Sequence, residues 1–242
     1  MDPNAPASPR TKARFAGVCE ALEGITSSGG QVFILGKLVA FHNPATTAAN
    51  ITAHEGLFWF GFILSILGVA FHIAWTLLFY QLFKPVHKTL AQLAALVSII
   101  VCGLQALTAF LYLCPFLILN SGDYVTTLST PQLQDVAILF FRLNAYAFEV
   151  DLVFFGFFCV LTGYLIFKST FLPRLLGILL MVDGVGWAFY MYPPLANQLF
   201  TFIAAASGLA EIPLQLWLLI KGVNSERWNQ QAAVAAQKPG VV

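Results

Sequence analysis

Charge is what this sequence has least of. Only 10% of its 242 residues are Asp, Glu, Lys or Arg, whereas 59% are hydrophobic. A soluble domain carries about 25% charged residues, so a water-facing fold is excluded and the chain reads as an integral membrane protein whose first partner is the lipid bilayer. The net charge is +1, which provides no basic field to recruit nucleic acid. Cysteine is scarce as well. Cys19, Cys102, Cys114 and Cys159 form no CxxC pair, which argues against a disulfide framework or a zinc site. Each reads as a small apolar packing residue.

The motifs of common chemistry are missing. No P-loop or GxSxG occurs, and the pair His54 and Glu55 has no second histidine to complete HExxH. A haem bundle wants facing histidines, and only His72 lies deep in an apolar run. Intramembrane zinc hydrolysis meets the same obstacle. No lysine sits in the middle of a span, which excludes the usual retinal Schiff base. Neither a catalytic residue, a metal nor a cofactor is expected, and an enzyme is the least favoured class. At the N-terminus, Glu20 and Glu23 interrupt the apolar core that a signal peptide needs, so no cleavage is expected.

What is present is a series of apolar runs about 20 residues long, the length that crosses the hydrocarbon. Six spans are expected, near 14–37, 57–83, 89–118, 136–167, 173–193 and 197–221. They make a six-transmembrane-helix, all-α bundle over 14–223, between a cytoplasmic tail (1–13) and a disordered one (224–242). The first span is the weakest, broken by Ser27, Ser28, Gly29 and Gly30. Charge supports its crossing. With both termini cytoplasmic, Arg10, Lys12, Arg14, Lys84, Lys88, Lys168, Arg174, Lys221, Arg227 and Lys238 all fall inside and Lys37 alone falls outside, as the positive-inside rule demands.

Three spans end in LFK, IFK and LIK, where Lys84, Lys168 and Lys221 meet the negative end of the helix dipole. Glycines recur seven apart at Gly61 and Gly68, Gly156 and Gly163, and Gly177 and Gly184. Two turns separate each pair, so each lies on one face and permits close helix contact. Between the first two spans, helix formers after Pro44 suggest a short interfacial helix. Asn50, Ile51 and Thr52 match a glycosylation acceptor. Ser121, Gly122 and Asp123 suggest a turn, with a helix start near Thr130 and Pro131.

Ionisable groups inside the spans are the informative minority, because each costs roughly 2.5–3.5 kcal/mol on insertion scales. Glu23 lies nine residues beyond Arg14 and Asp183 nine beyond Arg174. Glu211 lies ten before Lys221, and His72 twelve before Lys84. At ~1.5 Å per residue all four sit roughly 13–18 Å deep, near the middle of a ~30 Å core. Asp151 and Glu149 belong to the outer third. On the fourth span Arg142 and Glu149 share a face, and Asn144, Phe148 and Asp151 share another. Arg142 can snorkel outward or pair with Glu149 or Asp151.

Three readings of this set remain open. It is a structural network locking the bundle, a lined cavity for a proton, ion or small polar ligand, or a catalytic site. His72 by itself reads as a packing histidine. The preferred function is binding or transport of an ion or small amphiphile through the mid-membrane groups, with Glu211, Asp183, Asp151 and His72 lining the path and Glu23 next. The alternative is an accessory or sensor protein whose buried polar groups are structural.

Three stretches carry a family resemblance: ATTAANITAHEGLFWFGF (45–62), LNAYAFEVDLVFFGFFCVLTGYLIFKSTFLPRLLGILL (143–180) and AEIPLQLWLLIKGV (210–223). Together they resemble the bacterial multi-pass membrane proteins catalogued as domain-of-unknown-function family 4386, over about Lys12 to Val223. The pattern is similar at Asn144, Tyr146, Asp151, Gly163, Tyr164, Lys168, Pro173, Arg174, Gly177, Glu211 and Lys221. It departs at Ser27 to Gly30, where relatives are more apolar. The resemblance implies a six-helix protein of the inner membrane with no known activity.

Overall fold

The computed structural model describes residues 8–121 and 125–237, and every regular element among them is helical. In order these are α1 (Pro9–Ser28), a π-helical turn (Gly29–Ile34), α2 (Leu35–Leu38), α3 (Pro44–Ala53), α4 (Glu55–Phe83) and α5 (Lys88–Leu119). Then follow α6 (Thr130–Lys168), α7 (Arg174–Ala188), a 3₁₀ turn (Phe189–Met191), α8 (Pro193–Ile220) and α9 (Ser225–Ala236). Five segments are long and apolar enough to cross a membrane: α4, α5, α6, α8, and α7 together with its 3₁₀ turn. They match the last five expected spans. The expected span 14–37 falls inside the helical run from Pro9 to Leu38 but is not among those five. Glu20 and Glu23 reduce its hydropathy.

Local chemistry fixes the short elements. Asn43 caps α3 by accepting from the Thr46 amide at 3.0 Å, with Pro44 preset at the first position. This is the short helix expected after Pro44. The Asn50 side-chain amide, within the acceptor motif, donates to the Leu38 carbonyl at 3.1 Å. Ser129 precedes α6, and its amide and hydroxyl both reach Gln132 Oε1, at 2.8 and 2.9 Å. That is a capping arrangement one residue before Thr130. Of the expected turn, Ser121 is described and Gly122 and Asp123 lie outside the described residues.

The segment expected as a disordered tail is a correction. Residues Ser225–Ala236 form α9, capped by Asn224, which accepts from the Arg227 amide at 3.0 Å. Trp228 Nε1 donates to the Leu82 carbonyl at 2.8 Å, and the Thr170 amide donates to Gln231 Oε1 at 3.0 Å. An alanine-rich helix too short to persist alone is held by these tertiary contacts.

The chain divides into two compact units. The first comprises Met1–Ala21, His72–Val101 and Leu152–Val242, and the second Leu22–Phe71 and Cys102–Asp151. In the first, α6 and α7 meet through glycines. A Cβ on Gly156 would stand 2.6 Å from the Gly184 carbonyl oxygen, and one on Gly163 would stand 2.7 Å from that of Gly177. The seven-residue spacing therefore does what it promised, bringing two backbones together where no side chain intervenes. A Cβ on Gly17 of α1 would meet the Leu218 side chain of α8 at 2.9 Å. Arg10 Nε donates to the Lys221 carbonyl at 3.2 Å and an Arg14 amino group to that of Ile220 at 2.8 Å. These arginines cap the carbonyls at the end of α8, where Gly222 turns the chain with φ of 66°.

In the second unit the glycine contacts are of another kind. A Cβ on Gly30 would meet the Ser65 hydroxyl at 2.6 Å and the Gly61 carbonyl at 2.7 Å, and one on Gly61 would collide with the Tyr112 hydroxyl. That hydroxyl donates to the Phe58 carbonyl at 3.1 Å. Around it pack Ile34, Leu38, Ile51, Phe58 and Phe141. The glycines that break the apolar run of the first segment thus seat it against α4. Large apolar side chains also face outward in both units, among them Phe33 and Phe202, each 73% exposed. A water-soluble protein rarely leaves so continuous an apolar surface.

Candidate functional site

Asp183 is the residue around which the first unit's polar interior is arranged. Its position on α7, one residue before Gly184, places it where α6 and α7 approach most closely, and it is completely buried. Neither of its carboxylate oxygens makes a hydrogen bond of standard geometry. Cys159 of α6, Trp187 one turn on, and Ser207 and Glu211 of α8 nevertheless all lie close enough to bear on it as weaker side-chain hydrogen bonds. The Ser207 hydroxyl is directed to Glu211 Oε1 at 2.9 Å, a contact between residues one turn apart. Glu20 of α1, also buried, lies with Asp183 and Glu211 in the electrostatic surroundings of Cys159. Three carboxylates from three helices therefore share one region. Trp187 Nε1 is a buried donor directed to the Asp183 carboxylate, though not at standard hydrogen-bond geometry. Polar groups gathered at imperfect hydrogen-bond geometry are an arrangement that a small bridging species can complete.

His72 belongs to the same unit but takes part in a different contact. A ring nitrogen meets the Ser98 hydroxyl at 2.9 Å, and Ser98 in turn meets the Thr76 hydroxyl at 2.6 Å. Trp75 stands edge-on to the imidazole with ring centroids 5.0 Å apart. The histidine is fully buried between aromatic and hydroxyl neighbours, an arrangement that joins α4 to α5.

The second unit holds Glu23, Asn144, Asp151, Glu149 and Arg142. Glu23 Oε1 accepts from the Ser27 hydroxyl at 3.1 Å and from Gln105 Nε2 at 3.0 Å. Asn144 Nδ2 donates to the Thr108 carbonyl at 2.7 Å, joining α6 to α5. Asp151 is buried with Oδ1 unpartnered, and it feels the charge of Glu23. Glu149 also keeps one buried oxygen without a partner. Arg142 turns away from both acids, donates to the Phe41 carbonyl at 3.5 Å and lies 5.8 Å from the centre of that ring. A narrow cleft of about 20 Å³ opens among Ser27, Gln31, Ser65, Gln105, Thr108 and Phe148.

Of the four groups expected at one depth, the structure brings Asp183 and Glu211 together, leaves His72 with Ser98 and puts Glu23 in the other unit. Sequence reasoning passed over Glu20, Ser207, Cys159, Trp187 and Gln105. The spacing of Ser207 and Glu211, and of Glu23 and Ser27, is a one-turn signal that was legible. Glu20 was read only as an obstacle to a signal peptide.

A family model described as "Domain of unknown function (DUF4386)" matches residues 15–222. An uncharacterized protein of Archaeoglobus fulgidus is 26% identical over 165 residues, covering 66% of this chain and 80% of that protein. No solved structure matches.

Proposed function

The chain belongs to the DUF4386 family, and from that premise we propose that it is a multi-pass membrane protein that binds or translocates a small ion through the carboxylates around Asp183. The observation that carries this reading is the state of Asp183. It is fully buried among polar side chains of three helices, none of which reaches its oxygens with standard hydrogen-bond geometry. An ionised group held that way inside an apolar shell is costly unless a counter-charge joins it. A cation or proton supplies that charge, and Glu211, Ser207 and Glu20 supply further oxygens.

Six crossings with both ends on the cytoplasmic face of the cell membrane complete the proposal. The helical run 9–38 is about 45 Å long at ~1.5 Å per residue, ample for a crossing. Phe15, Ile25 and Phe33 point outward along it, as lipid-facing residues do. Its two acids face inward to partners on other helices, which removes the objection that they pose to insertion.

The alternative, an accessory or sensor protein with structural polar groups, draws on the second unit, where Asn144 and Glu23 are tied to α5. Reconstituted proteoliposomes carrying a pH-sensitive dye, challenged with sodium and potassium gradients, separate the two. Asp183→Asn and Glu211→Gln are expected to abolish ion movement while the protein stays folded. Unchanged flux would sink the transport reading, and a lowered melting temperature with no lost activity would install the alternative.

A further inference from the structure

We propose that the cleft of the second unit is a binding site for a small, dehydrated monovalent cation of the sodium class, separate from the carboxylates around Asp183. Three observations carry it. The first is the donor set. Ser27 and Ser65 bring hydroxyls, Gln31 and Gln105 bring amides, and Glu23 joins through its hydrogen bonds to Ser27 and Gln105. Every candidate ligand is therefore a hard oxygen, with no thiol or imidazole among the lining residues. Such sets select alkali and alkaline-earth ions over transition metals.

The second observation is size. The cleft is wide enough for one water-sized body. Magnesium parts reluctantly with its waters and a hydrated ion does not fit, whereas a bare sodium ion is no larger than a water molecule. The third is charge. Glu23 is the acid joined directly to the lining, so a single negative charge meets a single positive one. Asp151 lies near this acid. It is buried with Oδ1 unpartnered, and Glu23 is the charge it faces. The cation of Arg142 is committed to Phe41.

The backbone suits this task. Gln31 lies on the π-helical turn Gly29–Ile34. Such turns widen the helix locally and re-aim side chains, and they recur at functional sites. Gly30, beside it, lets the turn approach the Gly61 carbonyl and the Ser65 hydroxyl. Gln31 Nε2 and Ser65 Oγ stand 3.4 Å apart, a long contact between two groups that can both turn to a shared ligand. A half-turn of either glutamine amide presents its oxygen in place of its nitrogen.

The test uses the full chain in detergent, with sodium chloride against choline chloride at constant ionic strength. Its readouts are the melting temperature and equilibrium binding of radioactive sodium. Sodium is expected to raise the melting temperature saturably and choline to leave it unchanged. Glu23→Gln is expected to abolish the sodium response. Gln31→Leu, at a half-buried site that tolerates the change, should weaken radioactive sodium binding about ten-fold or more, the loss of one good ligand. Gln231→Ala, on α9 and outside both polar clusters, should leave it intact, which separates loss of the site from general destabilisation. An equal response to choline, absence of sodium binding to the wild type, or full binding in both Glu23→Gln and Gln31→Leu overturns the proposal.

Discussion

In one compact unit Asn144 donates to the Thr108 carbonyl, and Glu23 accepts from both Ser27 and Gln105. In the other, Asp183 is more deeply buried than any of these, yet it has no hydrogen bond of standard geometry. The units also differ in how their helices touch. Gly156 and Gly163 meet the backbone of α7, whereas Gly61 and Gly68 meet hydroxyl groups of side chains. The first unit thus combines rigid walls with an unsatisfied acid, and the second combines adjustable walls with a largely wired network. A rigid frame can hold an acid in a position that the acid itself does not favour, and a wired network stabilises the very contacts that form it. Function is more economically placed on the unsatisfied group.

Packing gives the largest way to break this contrast. Gly177→Ala would drive a Cβ into the Gly163 carbonyl and the Phe167 amide, both backbone. The expected cost is about 3 kcal/mol, at the upper end for overpacking. Gly61→Ala meets the Tyr112 hydroxyl and an Ile34 methyl, side-chain ends that can move, and should cost roughly 1 kcal/mol. Thermal unfolding in one detergent compares the two. Equal losses would show that the walls do not differ.

Polar substitutions sharpen the contrast at an intermediate scale. Asn144→Ala removes a 2.7 Å bond between α6 and α5 and should cost about 1–2 kcal/mol. Asp183→Asn removes a charge and no standard hydrogen bond, so its stability should stay within about 1 kcal/mol of wild type or rise. A large loss for Asp183→Asn, by the same unfolding measurement, would make that acid structural after all. The smallest effect concerns α9. Gln231→Ala deletes the acceptor for the Thr170 amide and hydroxyl, at an expected cost of about 0.5–1 kcal/mol. Hydrogen exchange should reveal faster opening of Ser225–Ala236.

The extents of α4 to α8 could be read from the apolar runs because span length is set by a simple geometric requirement. The glycine spacing was legible for a similar reason, since seven residues define one face of any helix. Counting depth from Arg174 and Lys221 put Asp183 and Glu211 at one level, with Glu23 and His72. Glu23 passed the same count and yet belongs elsewhere, because depth fixes a level and says nothing of direction around the bundle. The contact of His72 with Ser98 joins positions 26 apart, and no local pattern announces it. α9 was missed because its sequence is a helix former of marginal length, and the groups that hold it, Leu82 and Thr170, lie far away in the chain. The weak hydropathy of the first helix has the same origin, since Glu23 finds its partner on α5 and Glu20 lies near Cys159 of α6.

The arginine caps on α8 carry a consequence in time. Arg10 and Arg14 hold carbonyls 211 and 206 positions later in the chain, and Gly17 fits a groove that Leu218 forms. At about 5–20 residues per second of synthesis, the first helix waits roughly 10–40 s for the residues that secure it. A ribosome that stalls before Leu218 leaves the Arg10–Gly17 end of that helix unsecured, while its far end already has α4 and α5 to hold.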